Sequence, residues 1–61
     1  MKKVEQLKQA WYSGDEEIWQ FSLADCTRDE VMAIVQELNS GSEWVETYDL
    51  QQALITVIDW L

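Results

Sequence analysis

From Leu50 onward the apolar residues stand at Leu50, Ala53, Leu54, Val57, Ile58 and Leu61. The steps are i, i+3, i+4, i+7, i+8 and i+11. A 3.6-residue period gathers them on one side, whereas a two-residue period scatters them over both. The stretch is therefore predicted to be a helix whose inner side needs cover. Asp49 is placed to cap it, with Gln52 in the capping-box position. If the helix begins nearer Ser42, a second stripe appears. Trp44, Tyr48 and Ile55 lie at i, i+4 and i+11, roughly 140° around the axis from Leu50 at about 100° per residue. Trp60 projects from the other flank, and polar residues keep a thin sector, chiefly Gln52, Thr56 and Asp59. A helix that is apolar nearly all round is a buried helix. A chain of 61 residues has too few other residues to cover every side of it. Val57, Ile58 and Leu61 are therefore expected in the chain's own core. Trp44, Tyr48, Ile55 and Trp60 are expected in or beside a contact with another protein, starting with a two-fold contact between copies.

The length allows a single small domain spanning residues 1–61. Folding a chain of this mass removes roughly 6,000 Å² from water, and chains this short usually need a staple. The common staples are missing. Cys26 is the only cysteine, so no internal disulfide forms. Histidine is absent, which removes the usual Cys/His zinc sites. What remains is good helix packing or self-association. A hydrophobic fraction of 48%, high for so small a volume, favours a homodimer.

Two glycines, Gly14 and Gly41, and no proline punctuate the chain. Residues 2–12 form a predicted helix with Val4, Leu7 and Trp11 on a narrow stripe and Gly14 as its stop. "TRDEVMAIVQELNSG" is the clearest helix. Thr27 and Glu30 make a capping box, Asp29 and Glu30 suit the positive end of the helix dipole, and Val31, Ile34, Val35 and Leu38 keep helical spacing. "DEEIWQFSLAD" is ambiguous. Trp19, Phe21 and Leu23 alternate with polar residues as in a strand. Yet Ser13 with Glu16 is a second capping-box match, and a lone strand has no partner. Helix is favoured. The expected fold is all-α, a small bundle of three to four short helices. The alternative is α+β, with a two-stranded sheet at residues 17–24 and 43–47.

The net charge of −8 is uneven. Apart from Arg28, all the basic residues lie in the first eight positions, so the rest of the chain is strongly acidic. Phosphates are repelled by such a field, which argues against direct nucleic-acid binding. A basic protein surface is attracted by it. The N-terminal "MKKVEQLKQAW" lacks the unbroken apolar stretch of a signal peptide, and no run is long enough to span a membrane. With one reduced cysteine, a cytoplasmic setting is expected.

The chemistry-bearing residues point away from catalysis. Without histidine, a general base near neutral pH must be a shifted carboxylate, a lysine or the thiol. The carboxylate groups Asp15/Glu16/Glu17, Asp29/Glu30 and Glu43/Glu46 each stand where a helix should begin, which accounts for them as caps. Cys26 lies before a helix start, where a thiol can acidify. Its neighbours Asp25 and Asp29 oppose that, so it is expected to be structural. "DEEIWQFSLADC" lacks the central glycine of a calcium loop. No catalytic residue, metal site or cofactor is predicted.

The aromatic residues are more informative. Trp11 and Trp19 fit core stripes, whereas Trp44 and Trp60 do not fit the main stripe of the last helix. Glu43, Glu46, Asp49 and Asp59 surround them in sequence. Aromatic anchors inside a charged rim are the anatomy of a protein-binding patch. By size and charge alone, the chain is similar to small acidic regulators and inhibitors of bacteria, plasmids and bacteriophage. It is expected to be a protein-binding regulator or inhibitor that meets a basic protein surface. The alternative is a structural or assembly subunit acting through self-association, and mimicry of DNA by spaced carboxylates is less favoured.

Overall fold

The computed structural model describes residues 2–61. Four helices follow one another: α1 (Lys3–Ser13), α2 (Glu16–Ala24), α3 (Arg28–Ser40) and α4 (Tyr48–Ile58). They form two helical hairpins, with α1 packed chiefly on α2 and α3 chiefly on α4. The molecule measures 28 × 23 × 23 Å. It exposes 4451 Å², close to the roughly 4,100 Å² that a folded chain of its mass exposes. The all-helical bundle is the fold expected from the apolar spacing.

The local signals fix most helix ends. Gly14 ends α1 in the left-handed region at φ 74°, and its N–H donates to the Trp11 carbonyl. That conformation costs glycine nothing and costs other residues a Cβ clash. Thr27 and Glu30 form the full capping box at the start of α3. The cap of α2 is Asp15, not Ser13. One Asp15 carboxylate oxygen accepts from the N–H groups of Glu17 and Ile18. Ser13 is still inside α1 and sends its hydroxyl back to the Ala10 carbonyl.

The strand alternative fails for a specific reason. Trp19 and Leu23 stand four apart on a helix and both pack against the core, while Phe21 between them faces water at 84% exposure. A helix with apolar residues on two sides reproduces the alternation of a strand over five residues. Residues 43–47 form hydrogen-bonded turns, and no strand occurs among the described residues.

The core takes Val4 and Leu7 from α1, Val31, Ile34 and Leu38 from α3, Leu50 and Leu54 from α4, and Cys26 from the α2–α3 turn. Trp11 and Trp19 close its edge in a T-shaped contact, ring centroids 5.2 Å apart. That geometry adds about 0.5–1.5 kcal/mol to the area both rings bury. The last helix departs from expectation at both ends. It begins at Tyr48, so Thr47 takes the cap position without a capping side-chain bond, and Asp49 lies in the first turn. Val57 and Ile58 are only half-buried, and Leu61 is exposed. The spacing that would align Leu61 with Leu54 and Ile58 ends where the helix ends, at Ile58.

Two ion pairs tie α1 to the second hairpin. Lys8 reaches Glu43 at 2.9 Å. Lys3 reaches Glu30 at 2.7 Å and also donates to the Asp25 carbonyl at 2.6 Å. Glu30 in turn accepts from the Thr27 N–H. The Lys3 ammonium first, and then that N–H, lower the Glu30 carboxyl from its ordinary 4.5 to about 2. A folded-state value below the unfolded one means stabilisation that is present above about pH 4.5 and lost as pH falls toward 2. Protonating the other carboxylates meanwhile relieves repulsion, so the comparison must be internal. Between about pH 6 and 2 the urea midpoint of the unmodified chain should drop relative to that of Glu30→Gln. A difference that stays constant across this range would show that the Lys3–Glu30 contact does not couple to folding.

Candidate functional site

The α3–α4 connection is built by side chains bonding to main chain. The Thr47 N–H and hydroxyl both donate to the Glu43 carbonyl, at 2.9 and 2.8 Å. The Gln51 amide nitrogen donates to the Trp44 carbonyl and to the Thr47 hydroxyl, each at 3.0 Å. Thr47 and Gln51 are themselves buried. Buried polar groups are tolerated when bonded, and this pair clamps the turn onto α4. From the other side, Lys8 holds the Glu43 carboxylate and the Tyr12 hydroxyl donates to the Glu46 carbonyl at 3.3 Å. The turn is thus fixed by α1 and α4 together, and Trp44 and Val45 are left exposed on it.

Trp44 and Ile55 are 51% and 46% exposed, Tyr48 is similar, and Trp60 is 85% exposed. Glu43, Glu46, Asp49 and Asp59 are exposed as well. The structure groups them only in part. Tyr48, Gln52, Ile55 and Asp59 follow i, i+4, i+7 and i+11, one stripe turned away from the buried Leu50 and Leu54. Trp44 sits in the turn that precedes this stripe. Trp60 lies past the helix end, roughly 140° around the axis from Ile55, and does not join it. Glu43 is compensated by Lys8, so the free charges of this face are those of Glu46, Asp49 and Asp59. Among the described residues, Glu30 and Glu43 are the only carboxylates in ion pairs.

Sequence reading passed over several exposed apolar residues. Val45 lies on the same turn and Tyr12 beside it, Ile18 and Phe21 lie on α2, and Met32 lies on α3. A signal for Phe21 existed. Its position midway between Trp19 and Leu23 places it on the far side if the segment is a helix. Gln51 carried no such signal, because one of its partners is the Trp44 carbonyl, a main-chain group brought close by folding.

Cys26 is buried, and its thiol donates to the Ser22 carbonyl at 3.4 Å. Burial raises its pKa, which the Lys3 charge only partly offsets, so the thiolate is disfavoured. Among the described residues no group of three or more Asp, Glu, Cys or His side chains is placed to hold a metal ion. No helix among them is long and apolar enough to cross a membrane. No family model, curated protein or solved structure matches the chain.

The clamp can be tested directly. Gln51→Ala removes two hydrogen bonds, each worth about 0.5–1.5 kcal/mol. Amide exchange at residues 44–48 should therefore quicken roughly ten- to hundredfold, while helical circular dichroism is retained. Unchanged exchange there would mean that the Gln51 side chain does not hold the turn, which then rests on the Thr47–Glu43 bonds and α1.

Proposed function

We propose that the chain is a small acidic binding module, a regulator or inhibitor of another protein, which docks on a basic surface through the turn at 43–48 and the outer stripe of α4. The observation that carries this reading is the juxtaposition on that face. Trp44, Val45, Tyr48 and Ile55 are all exposed, and Glu46, Asp49 and Asp59 beside them lack ion pairs among the described residues. Buried aromatic anchors supply most binding energy at protein interfaces. Free carboxylates at their rim set the approach rate and the choice of partner. The clamped turn supports the reading further, because a pre-ordered loop loses less entropy on binding. Nothing in this role needs a catalytic step or a cofactor. A single buried thiol suits a reducing cytoplasm.

Self-association is the second reading, favoured by the same exposed Tyr48 and Ile55. It must bring together two chains that each carry −8. Mimicry of DNA is less well supported, since the carboxylates of this face alternate with apolar groups instead of forming an array.

Affinity capture with the unmodified chain should recover one stoichiometric basic partner, and Ile55→Asp should lose it. Trp44→Ala should speed dissociation by about 2 kcal/mol or more. Raising ionic strength from about 0.01 to 0.15 M shortens the screening length from roughly 30 to 8 Å, so association should slow markedly. A partner whose binding rate ignores salt and which tolerates both Trp44→Ala and Trp60→Ala would refute the proposed face. Sedimentation equilibrium decides the second reading. A dimer converted to monomer by Ile55→Asp would replace the partner with a second copy.

A further inference from the structure

The outer side of α2 carries a second unpartnered surface. Ile18 and Phe21 stand three apart on α2 and are exposed, Phe21 more fully than any other large apolar residue except Trp60 among the described residues. Glu17, Phe21 and Asp25 stand at i, i+4 and i+8, so a carboxylate lies one turn to either side of the phenyl ring, roughly 6 Å along the axis each way. Ala24 extends the apolar floor, and Gln6 of α1 forms the facing wall of a shallow cleft of about 510 Å³ lined by these residues. Neither Glu17 nor Asp25 has an ion pair among the described residues. Lys3, which reaches the Asp25 main chain and feels the Asp25 charge at a distance, makes its direct ion pair with Glu30. An apolar centre therefore lies between two carboxylates that make no ion pair among the described residues.

We infer that this cleft is a docking site for a basic amphipathic helix of another protein. The helix seats one apolar anchor beside Phe21 and carries Lys or Arg four residues before and four residues after that anchor. The order acid, apolar, acid is the same in both directions, so the helix can lie parallel or antiparallel to α2. Charge complementarity selects this occupant. A two-fold contact between copies, with the α2 helices antiparallel across Phe21, lays Glu17 of one chain against Asp25 of the other, and like charges so placed repel. An anionic membrane surface meets the same repulsion. The cleft shares no residue with the face around Tyr48, and the inference stands or falls separately from that reading.

The probe is a capped alanine-rich helical peptide of about 17 residues, with a central Leu and Arg four residues to either side. Its control replaces both Arg by Glu. Amide chemical shifts of the full chain, followed up to about 1 mM peptide, should move at Gln6 and at residues 17–25 with the Arg peptide. The control should bind at least roughly tenfold more weakly. Phe21→Ala, which removes an exposed ring and leaves the core untouched, should weaken the Arg peptide roughly tenfold. The double variant Glu17→Lys, Asp25→Lys should transfer preference to the Glu peptide. The inference is overturned if the Arg peptide causes no shift, if both peptides bind alike, or if the shifts gather at Trp44, Tyr48 and Ile55. Dilution-dependent shifts at Phe21 without peptide would assign the cleft to a second copy and overturn it equally.

Discussion

Leu7, Val31, Leu50 and Leu54 are closed off from water completely, and a chain this short can enclose few more side chains in the same way. That ratio of surface to volume governs the rest of the molecule. Each helix can contribute only one narrow strip to the interior, so apolar residues in excess of the strip must lie outside it. The hydrophobic fraction of 48% exceeds what four strips can absorb. Phe21, Trp44, Ile55 and Trp60 are the excess, and carboxylates spaced among apolar residues favour the hydration of such a surface.

Helix identity was legible wherever one strip dominates. Val31, Ile34 and Leu38 of α3 and Leu50 and Leu54 of α4 are buried as their spacing demands, and the Thr27–Glu30 box forms as the residues promise. Legibility failed where a second apolar side competed. In α2, Phe21 lent the segment a strand-like alternation because its exposure depends on the neighbours of the helix, not on its own residues. Caps were ambiguous for a related reason. Ser13 and Asp15 both precede acidic residues, and α1 claims Ser13 by running one residue further. Leu61 obeys the spacing of a helix that stops before it.

Less of the candidate site could be read from sequence. Its exposed large apolar residues were recognisable, since Trp44, Tyr48 and Ile55 fall off the main strip. The features that fix them were not. Lys8 and Glu43 are far apart in sequence, as are Tyr12 and Glu46, and both contacts exist only after α1 has been laid across the second hairpin. These contacts also change the electrostatics. Two of the few cations are consumed internally, and most of the negative charge faces outward without an ion pair among the described residues.

The hairpin arrangement has a kinetic consequence. Because α1 pairs with α2 and α3 with α4, most packing joins neighbours in sequence. Chains of such low contact order fold in microseconds to milliseconds. A molecule that carries a surplus of exposed apolar residues is most vulnerable to aggregation when it opens and releases its core as well. Rapid reclosure of two local hairpins keeps each such excursion brief. The same topology that leaves Phe21 and Trp60 on the surface thus limits the time in which Leu7, Leu50 and Leu54 can join them there.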